Sequence, residues 1–260
     1  MIKAGLCSVC FKQNTPEEVI DLALRANLAG IEWIGNTHVP AGDVETARKV
    51  GEMTRVAGLS VAAYGSVFRL GTDSDFSPHL DSAVALGASS LRIFAGSGKP
   101  SCDLTSEERL AFVSEAKRIS EMAAERGISV STECHDQSLT DCVESQLRFM
   151  EEVDMPNFRT YWQMLFSLSD DEQIKSLRSV RESGKLTNIH IYQYKITEEA
   201  REKRPLSEGF PLWSELFSLF KNDETERFAM LEFVGGYPEE SFFEDSKTLL
   251  KLADIANTRK

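Results

Sequence analysis

Eight short β-branched or aromatic runs alternate with capped, helix-patterned segments along 260 residues. This pattern predicts an α/β protein built as a single (β/α)8 TIM barrel spanning residues 1–260. The length suits that fold, and a hydrophobic content of 42% supplies one large core. An open doubly wound sheet would show the same alternation. The closed barrel is favoured because no Gly-x-Gly-x-x-Gly follows the first strand and no Gly-Lys-Ser/Thr phosphate loop occurs.

The expected strands, in order, are Lys3 to Ser8, Gly30 to Ile34, Ser60 to Tyr64, Ser90 to Phe94, Ser129 to Glu133, Arg159 to Gln163, Asn188 to Tyr192 and Phe228 to Phe233. The helices between them carry start signals. Thr15-Pro16-Glu17-Glu18 is a capping box with proline in the first turn, Thr105 with Glu108 and Ser169 with Glu172 repeat the box, and Ser77-Pro78 opens another helix. Gly58, Gly87, Gly127 and Gly184 sit where helices should stop before the next strand. Two loop-like stretches, Gly96 to Asp103 and Lys195 to Pro211, do not shift composition enough to mark a domain boundary, and both read as barrel-mouth loops.

A net charge of -12 opposes binding to nucleic acid or to anionic membranes, which require a basic footprint. An anionic substrate would need local positive charge, such as a metal ion or Arg204. No apolar run approaches the length of a membrane span, and the first residues lack the apolar core of a signal peptide, so a cytoplasmic location is expected. Five cysteines fit a reducing compartment. Cys7-x-x-Cys10 has no second pair to complete a thiolate zinc site, and these two, with Cys134 and Cys142, read as packing residues.

Four strand-like runs end on a side chain able to hold a divalent metal: Glu133, Gln163, His190 and Glu232. In a parallel barrel those ends converge on one mouth. Oxygen donors with one imidazole suit Mn²⁺, Mg²⁺ or Co²⁺ better than a structural Zn²⁺. An ionised carboxylate closing an apolar strand is poorly explained by packing. Glu133 and Glu232 can therefore act as a base and acid pair across a metal, or else as structural ion-pair carboxylates. Gln163 is a neutral and weaker donor that could instead hydrogen-bond substrate.

Further candidates surround these four. Glu32 closes the second strand beside Trp33, and His38 follows in the next loop, where it either orients substrate or lies at the surface. His135, two residues after Glu133, points to the same side if the strand persists. Arg92 and Arg204 are possible clamps for anions or hydroxyls; inside a barrel, Arg92 would otherwise neutralise the acidic cluster. His79 reads as a surface residue. Among the strand-end aromatics Trp33, Tyr64, Phe68, Tyr161, Trp162 and Phe233, Trp33 and Tyr64 are taken as substrate walls and the others as packing.

With these residues assembled, the chain resembles the sugar phosphate isomerase/epimerase family, the xylose-isomerase-like barrels. The segments carrying the resemblance are Gly30-Ile31-Glu32-Trp33 with His38, Tyr64-Gly65-Ser66, Thr132-Glu133-Cys134-His135, Asn188-Ile189-His190-Ile191 and Leu231-Glu232-Phe233-Val234. The resemblance implies one divalent metal held by Glu133, His190 and Glu232, with the two glutamates also serving as acid and base. The family's fourth ligand is commonly an aspartate followed three residues later by a histidine. Here that segment reads Gln163-Met164-Leu165-Phe166, which removes one carboxylate and one imidazole.

The implied reaction is proton transfer next to the carbonyl of a small sugar or sugar phosphate, through a metal-stabilised enediolate. Aldose-ketose isomerisation and ketose epimerisation both fit, and dimers and tetramers are frequent in the family. A metal-dependent lyase is the alternative: a dehydratase or decarboxylase of a keto-sugar acid or a dehydroshikimate-like substrate. Cleavage of abasic DNA is disfavoured, because a three-metal site would need more histidines than the four present. A non-catalytic, sugar-binding barrel is the remaining reading, supported by Gln163.

Overall fold

A computed structural model describes residues 1–72, 75–96, 98–196, 201–232 and 238–258. Within them the chain runs β1 (Ile2–Cys7), α1 (Pro16–Arg25), β2 (Gly30–Ile34), α2 (Val44–Val56), β3 (Ser60–Arg69), α3 (Ser77–Leu86), β4 (Ser90–Phe94) and α4 (Ser106–Ala124). It continues through β5 (Ser129–Thr132), α5 (Val143–Val153), β6 (Phe158–Trp162), α6 (Asp170–Glu182), β7 (Leu186–Ile191), the short β8 (Tyr194–Ile196) and β9 (Arg201–Lys203), α7 (Phe210–Ser218), β10 (Arg227–Leu231) and α8 (Glu239–Asn257).

Eight strands form a closed parallel barrel in the order β1-β10-β7-β6-β5-β4-β3-β2. β1 closes it by pairing with β2 (Gly5 with Gly30) on one side and with β10 (Ile2 with Arg227) on the other. The capping signals hold. At Thr15 and Thr105 the hydroxyl accepts the amide of Glu18 and Glu108, whose carboxylates accept back. At Ser169 both the amide and the hydroxyl donate to Glu172. Gly58, Gly87, Gly127 and Gly184 all take φ between 70° and 82°, the left-handed region that ends a helix.

Two expectations need correction. Strand β3 continues five residues beyond Tyr64, to Arg69. Gly65 leaves room inside the barrel: a Cβ there would lie 2.7 Å from Glu32 Oε1 and 3.0 Å from Arg92. The segment after β7 is not a plain loop, since β8 and β9 pair as an antiparallel hairpin and a 3-10 turn at Leu206–Gly209 leads into α7. Ser77-Pro78 opens α3 as expected. Phe233, expected to close the last barrel strand, lies outside the described residues, as does Val234.

Strand alternation divides the core. Most buried apolar side chains pack between sheet and helices, while Ala62, Ala63, Tyr161, Phe228 and Met230 form a small separate cluster. No described helix is long and apolar enough to cross a membrane.

Gly51 of α2 faces α3, where an added methyl would collide with the Leu86 carbonyl oxygen and lie 2.8 Å from its carbon. Glycine to alanine inside a helix ordinarily stabilises by up to about 1 kcal/mol. Here overpacking against backbone should reverse the sign, costing about 1–3 kcal/mol. Thermal unfolding of Gly51→Ala should therefore begin several degrees below wild type, and an unchanged or raised midpoint would show that the helices part easily.

Candidate metal centre and cavity

At the C-terminal ends of the strands, inward-facing side chains assemble a buried charged cluster. Arg92 of β4 donates from Nε to Glu32 Oε1 at 3.0 Å and from Nη1 to Glu133 Oε1 at 2.8 Å, with all three side chains almost wholly buried. His190 of β7 lies among three carboxylates. Its Nδ1 is 3.4 Å from Glu133 Oε2 and 3.2 Å from Glu232 Oε2, and its Nε2 is 3.5 Å from Glu32 Oε2.

Burial alone would raise Glu32, but the charges of Arg92 and His190 outweigh it and hold this carboxyl at about 2. Glu133 is likewise lowered against its burial by Arg92 and His190. Burial opposes the charged form of His190, yet Glu232 and Glu32 raise its pKa well above the ordinary value. Arg92 is held charged by Glu133 and Glu32 in the same way.

The donor set fits a divalent cation. Both ring nitrogens of His190 and Oε1 of Gln163 are buried without a hydrogen-bond partner. Gln163 donates its amide N–H to the Cys134 carbonyl, and this hydrogen bond fixes which atom is left as acceptor. Glu32 behind Nε2 is the carboxylate that commonly backs a metal-bound imidazole, so Nδ1 faces Glu133 and Glu232. Glu133, Gln163, His190 and Glu232 could thus hold the ion. The thiol of Cys7 sits within 4.8 Å of the His190 and Glu232 donor atoms, a proximity the Cys-x-x-Cys spacing did not reveal. It donates to Glu32 Oε1 at 3.7 Å, and burial keeps its pKa high.

The cluster forms the floor of a cavity of about 400 Å³. Glu133, Gln163, Glu232 and Arg92 line its base, with His135, Phe94, Arg69 and Lys12 on the walls. Phe166, Tyr192 and Tyr194 also line it and contact one another with ring centroids 5.5–5.7 Å apart. Of the sequence candidates, Glu32, Glu133, Gln163, His190, Glu232 and His135 come together here.

Four others do not. Trp33 and Tyr64 point outward into the helix layer, where Trp33 Nε1 donates to Thr54 of α2 and the Tyr64 hydroxyl to the Val39 carbonyl. His38 is buried beside Trp33 with both ring nitrogens engaged, by the Ser8 hydroxyl and the Asn14 carbonyl. Arg204 pairs through two nitrogens with Glu208 and does not line the cavity. Arg92 takes the neutralising role weighed for it, since two of its nitrogens are already bound to carboxylates.

The model of one protein family, described as xylose isomerase-like TIM barrel, matches residues 20–252. The chain belongs to that family. A 3-dehydroshikimate dehydratase of Bacillus anthracis is 24% identical over 260 residues, covering 90% of this chain and 91% of the dehydratase. The crystal structure of a probable 3-DHS dehydratase, AsbF of Bacillus anthracis, superposes with a TM-score of 0.79 at 21% identity, covering 95% of this chain and 98% of that one. A D-allulose 3-epimerase from Methylomonas sp. gives 0.70 at 17% identity over 98% of each chain. A xylose isomerase-like barrel from Mycobacterium smegmatis, solved in complex with magnesium, gives 0.69 at 13% identity, again over 98% of each.

Metal titration tests the donor set. Elemental analysis after Mn²⁺ loading should give one ion per chain, lost in Glu133→Ala. Gln163→Asp should bind Mn²⁺ as tightly or more tightly, since it exchanges a neutral oxygen for a charged one; a clear loss of affinity would remove Gln163 from the ligand set.

Proposed function

We propose that this protein is a divalent-metal-dependent lyase that dehydrates a keto-hydroxy acid of the dehydroshikimate type, removing a proton next to a carbonyl. The observation that carries this reading is the inequality of the proton-handling groups. Glu133 has Oε1 held by Arg92, and its Oε2, 3.4 Å from His190 Nδ1, is the oxygen that would face the ion, so neither is placed to carry protons back and forth. His135 is better placed. Its Nδ1 lies 2.9 Å from the Asp136 carbonyl, which can only accept, so Nδ1 carries the ring proton in the neutral ring and the lone pair is on Nε2. The ring stands edge-on to Phe94 and lines the cavity.

One protein base beside the donor cluster suits elimination. His135 Nε2 takes the proton α to the carbonyl, and the C–H pair becomes the enolate. As the enolate collapses, the β-hydroxyl leaves with a proton returned from His135, and the net change is loss of water. The bound divalent cation would supply electrostatic stabilisation of the enolate oxygen. Similarity to the 3-dehydroshikimate dehydratase, at 24% identity over nine-tenths of the chain, supports the same reading.

Sugar isomerisation or epimerisation is the second reading. It rests on Glu232, whose side chain is 16% exposed, against 4% for Glu133 and 0% for Glu32, and which can therefore reach a substrate as a base.

Mn²⁺-loaded protein incubated with 3-dehydroshikimate should produce the ultraviolet absorbance of an aromatic dihydroxybenzoate. Interconversion of D-allulose and D-fructose without that absorbance would install the second reading, and neither reaction would sink both. His135→Asn should lower kcat for dehydration by about 10²–10⁴-fold, the usual share of a general base, with Mn²⁺ stoichiometry unchanged. A loss under tenfold would mean that another group takes the proton.

A further inference from the structure

The barrel holds a second cavity, of about 450 Å³, at the end opposite the donor cluster. Its lining comes from the first residues of the strands, among them Ser60 of β3, Ser90 of β4, Ser129 of β5, Arg159 of β6 and Thr187 of β7. Arg159, Tyr161 and Gln163 alternate along one strand direction, belonging to this cavity, to the buried cluster with Met230 and to the first cavity in turn. A layer of buried side chains thus separates the two cavities.

Branched apolar side chains ordinarily fill a barrel interior. Here hydroxyls take their place: Thr187 donates to the Thr160 carbonyl at 2.9 Å and lies 3.0 Å from Ser131 Oγ, which is 3.3 Å from Ser90 Oγ. That chain engages its own protons. Among the described residues, the donors left to the cavity are the hydroxyls of Ser60 and Ser89 and the guanidinium of Arg159, which gives an N–H from Nη2 to the Gly184 carbonyl at 3.1 Å while its buried Nε has no acceptor. A buried donor left unmade is costly, and a ligand oxygen would remove that cost. Charge points the same way. Arg227 and Arg181 share the carboxylate of Asp223, at 2.9 and 3.4 Å, and Glu226 in the lining is paired with Lys3 at 2.8 Å. Burial and the nearby charges of Arg181 and Arg159 lower the pKa of Arg227, so this end of an acidic protein is locally positive.

We propose that this N-terminal mouth is a second binding site, for the phosphate group of a small metabolite, with Arg159 as its anchor. The guanidinium offers N–H groups in a fixed fork, and Ser60 and Ser89 add hydroxyls from the start of β3 and from the residue before β4. Donors supplied from separate strands suit a tetrahedral anion, whose oxygens point in several directions, better than a planar carboxylate. The site does not depend on the reaction proposed for the other mouth, so either can fail without the other.

Calorimetric titration with inorganic phosphate, at fixed ionic strength, tests the site. Wild type should bind phosphate saturably, and Glu133→Ala, which loses the ion at the other mouth, should bind it equally. Arg159→Gln should weaken binding about tenfold or more, the usual strength of a charge-assisted hydrogen bond, with the circular dichroism spectrum unchanged. Arg159→Lys should restore part of the affinity, because a point charge lacks the fork, and Ser60→Ala, which removes one neutral donor, should lower it about twofold to tenfold. Undiminished affinity in Arg159→Gln, loss of binding in Glu133→Ala, or acetate bound as tightly as phosphate overturns the proposal. So does a wild type that gives no saturable heat, the result expected if water alone fills the cavity.

Discussion

The pairing of Arg92 with Glu32 and Glu133 is the constraint on which the rest of the site depends. Three carboxylates and an imidazole occupy the end of a barrel from which water is nearly excluded, and ionised groups in such surroundings are costly unless paired. Arg92 reaches two of them from the neighbouring side of the barrel. Removing it alone would leave two buried carboxylates without their cation, a loss on the order of 3–5 kcal/mol. The bridge also acts on chemistry: by binding Oε1 of Glu133 it directs Oε2 toward His190, and by binding Oε1 of Glu32 it leaves Oε2 behind the imidazole. One guanidinium therefore sets the orientation of two carboxylates and, through them, of the histidine.

Backbone choices make room for that bridge. Gly65 of β3 lies where a Cβ would strike both Glu32 and Arg92, so the strand carries its one glycine opposite the charged pair. The strand then continues to the mouth and delivers Arg69 against Phe94. Loss of a side chain at one position of β3 thus permits a charged floor, and the length of the same strand supplies a charged wall.

Much of this was legible in the sequence, and the misses have identifiable causes. The eight-strand alternation and the capping boxes are local signals, and each element they predict is present. Glu133, Gln163, His190 and Glu232 stood out because polar ends on apolar strands have few structural explanations, and the barrel brings all four together. Trp33 and Tyr64 were misplaced by neglect of strand parity. If Glu32 and Gly65 face inward, the residues beside them must face the helices. His38 depends on partners 24 and 30 residues away, Asn14 and Ser8, which no local pattern announces. The aromatic wall depends on a hairpin whose pairing of Tyr194 with Lys203 is not a local feature either.

The glutamine at position 163 follows from charge balance. Glu32 adds a third carboxylate to a centre that already contains Glu133 and Glu232, and Arg92 offsets one of the three. A divalent cation would offset the other two, provided the fourth donor is neutral and His190 gives up its ring proton. An aspartate at position 163 would leave that buried assembly with an excess negative charge, larger still without the ion, so it would hold the cation more tightly at the expense of the stability of the fold. The same neutrality matters to an incoming anion. A floor whose charges cancel would not repel an anionic group entering the cavity, in a protein whose net charge is otherwise -12.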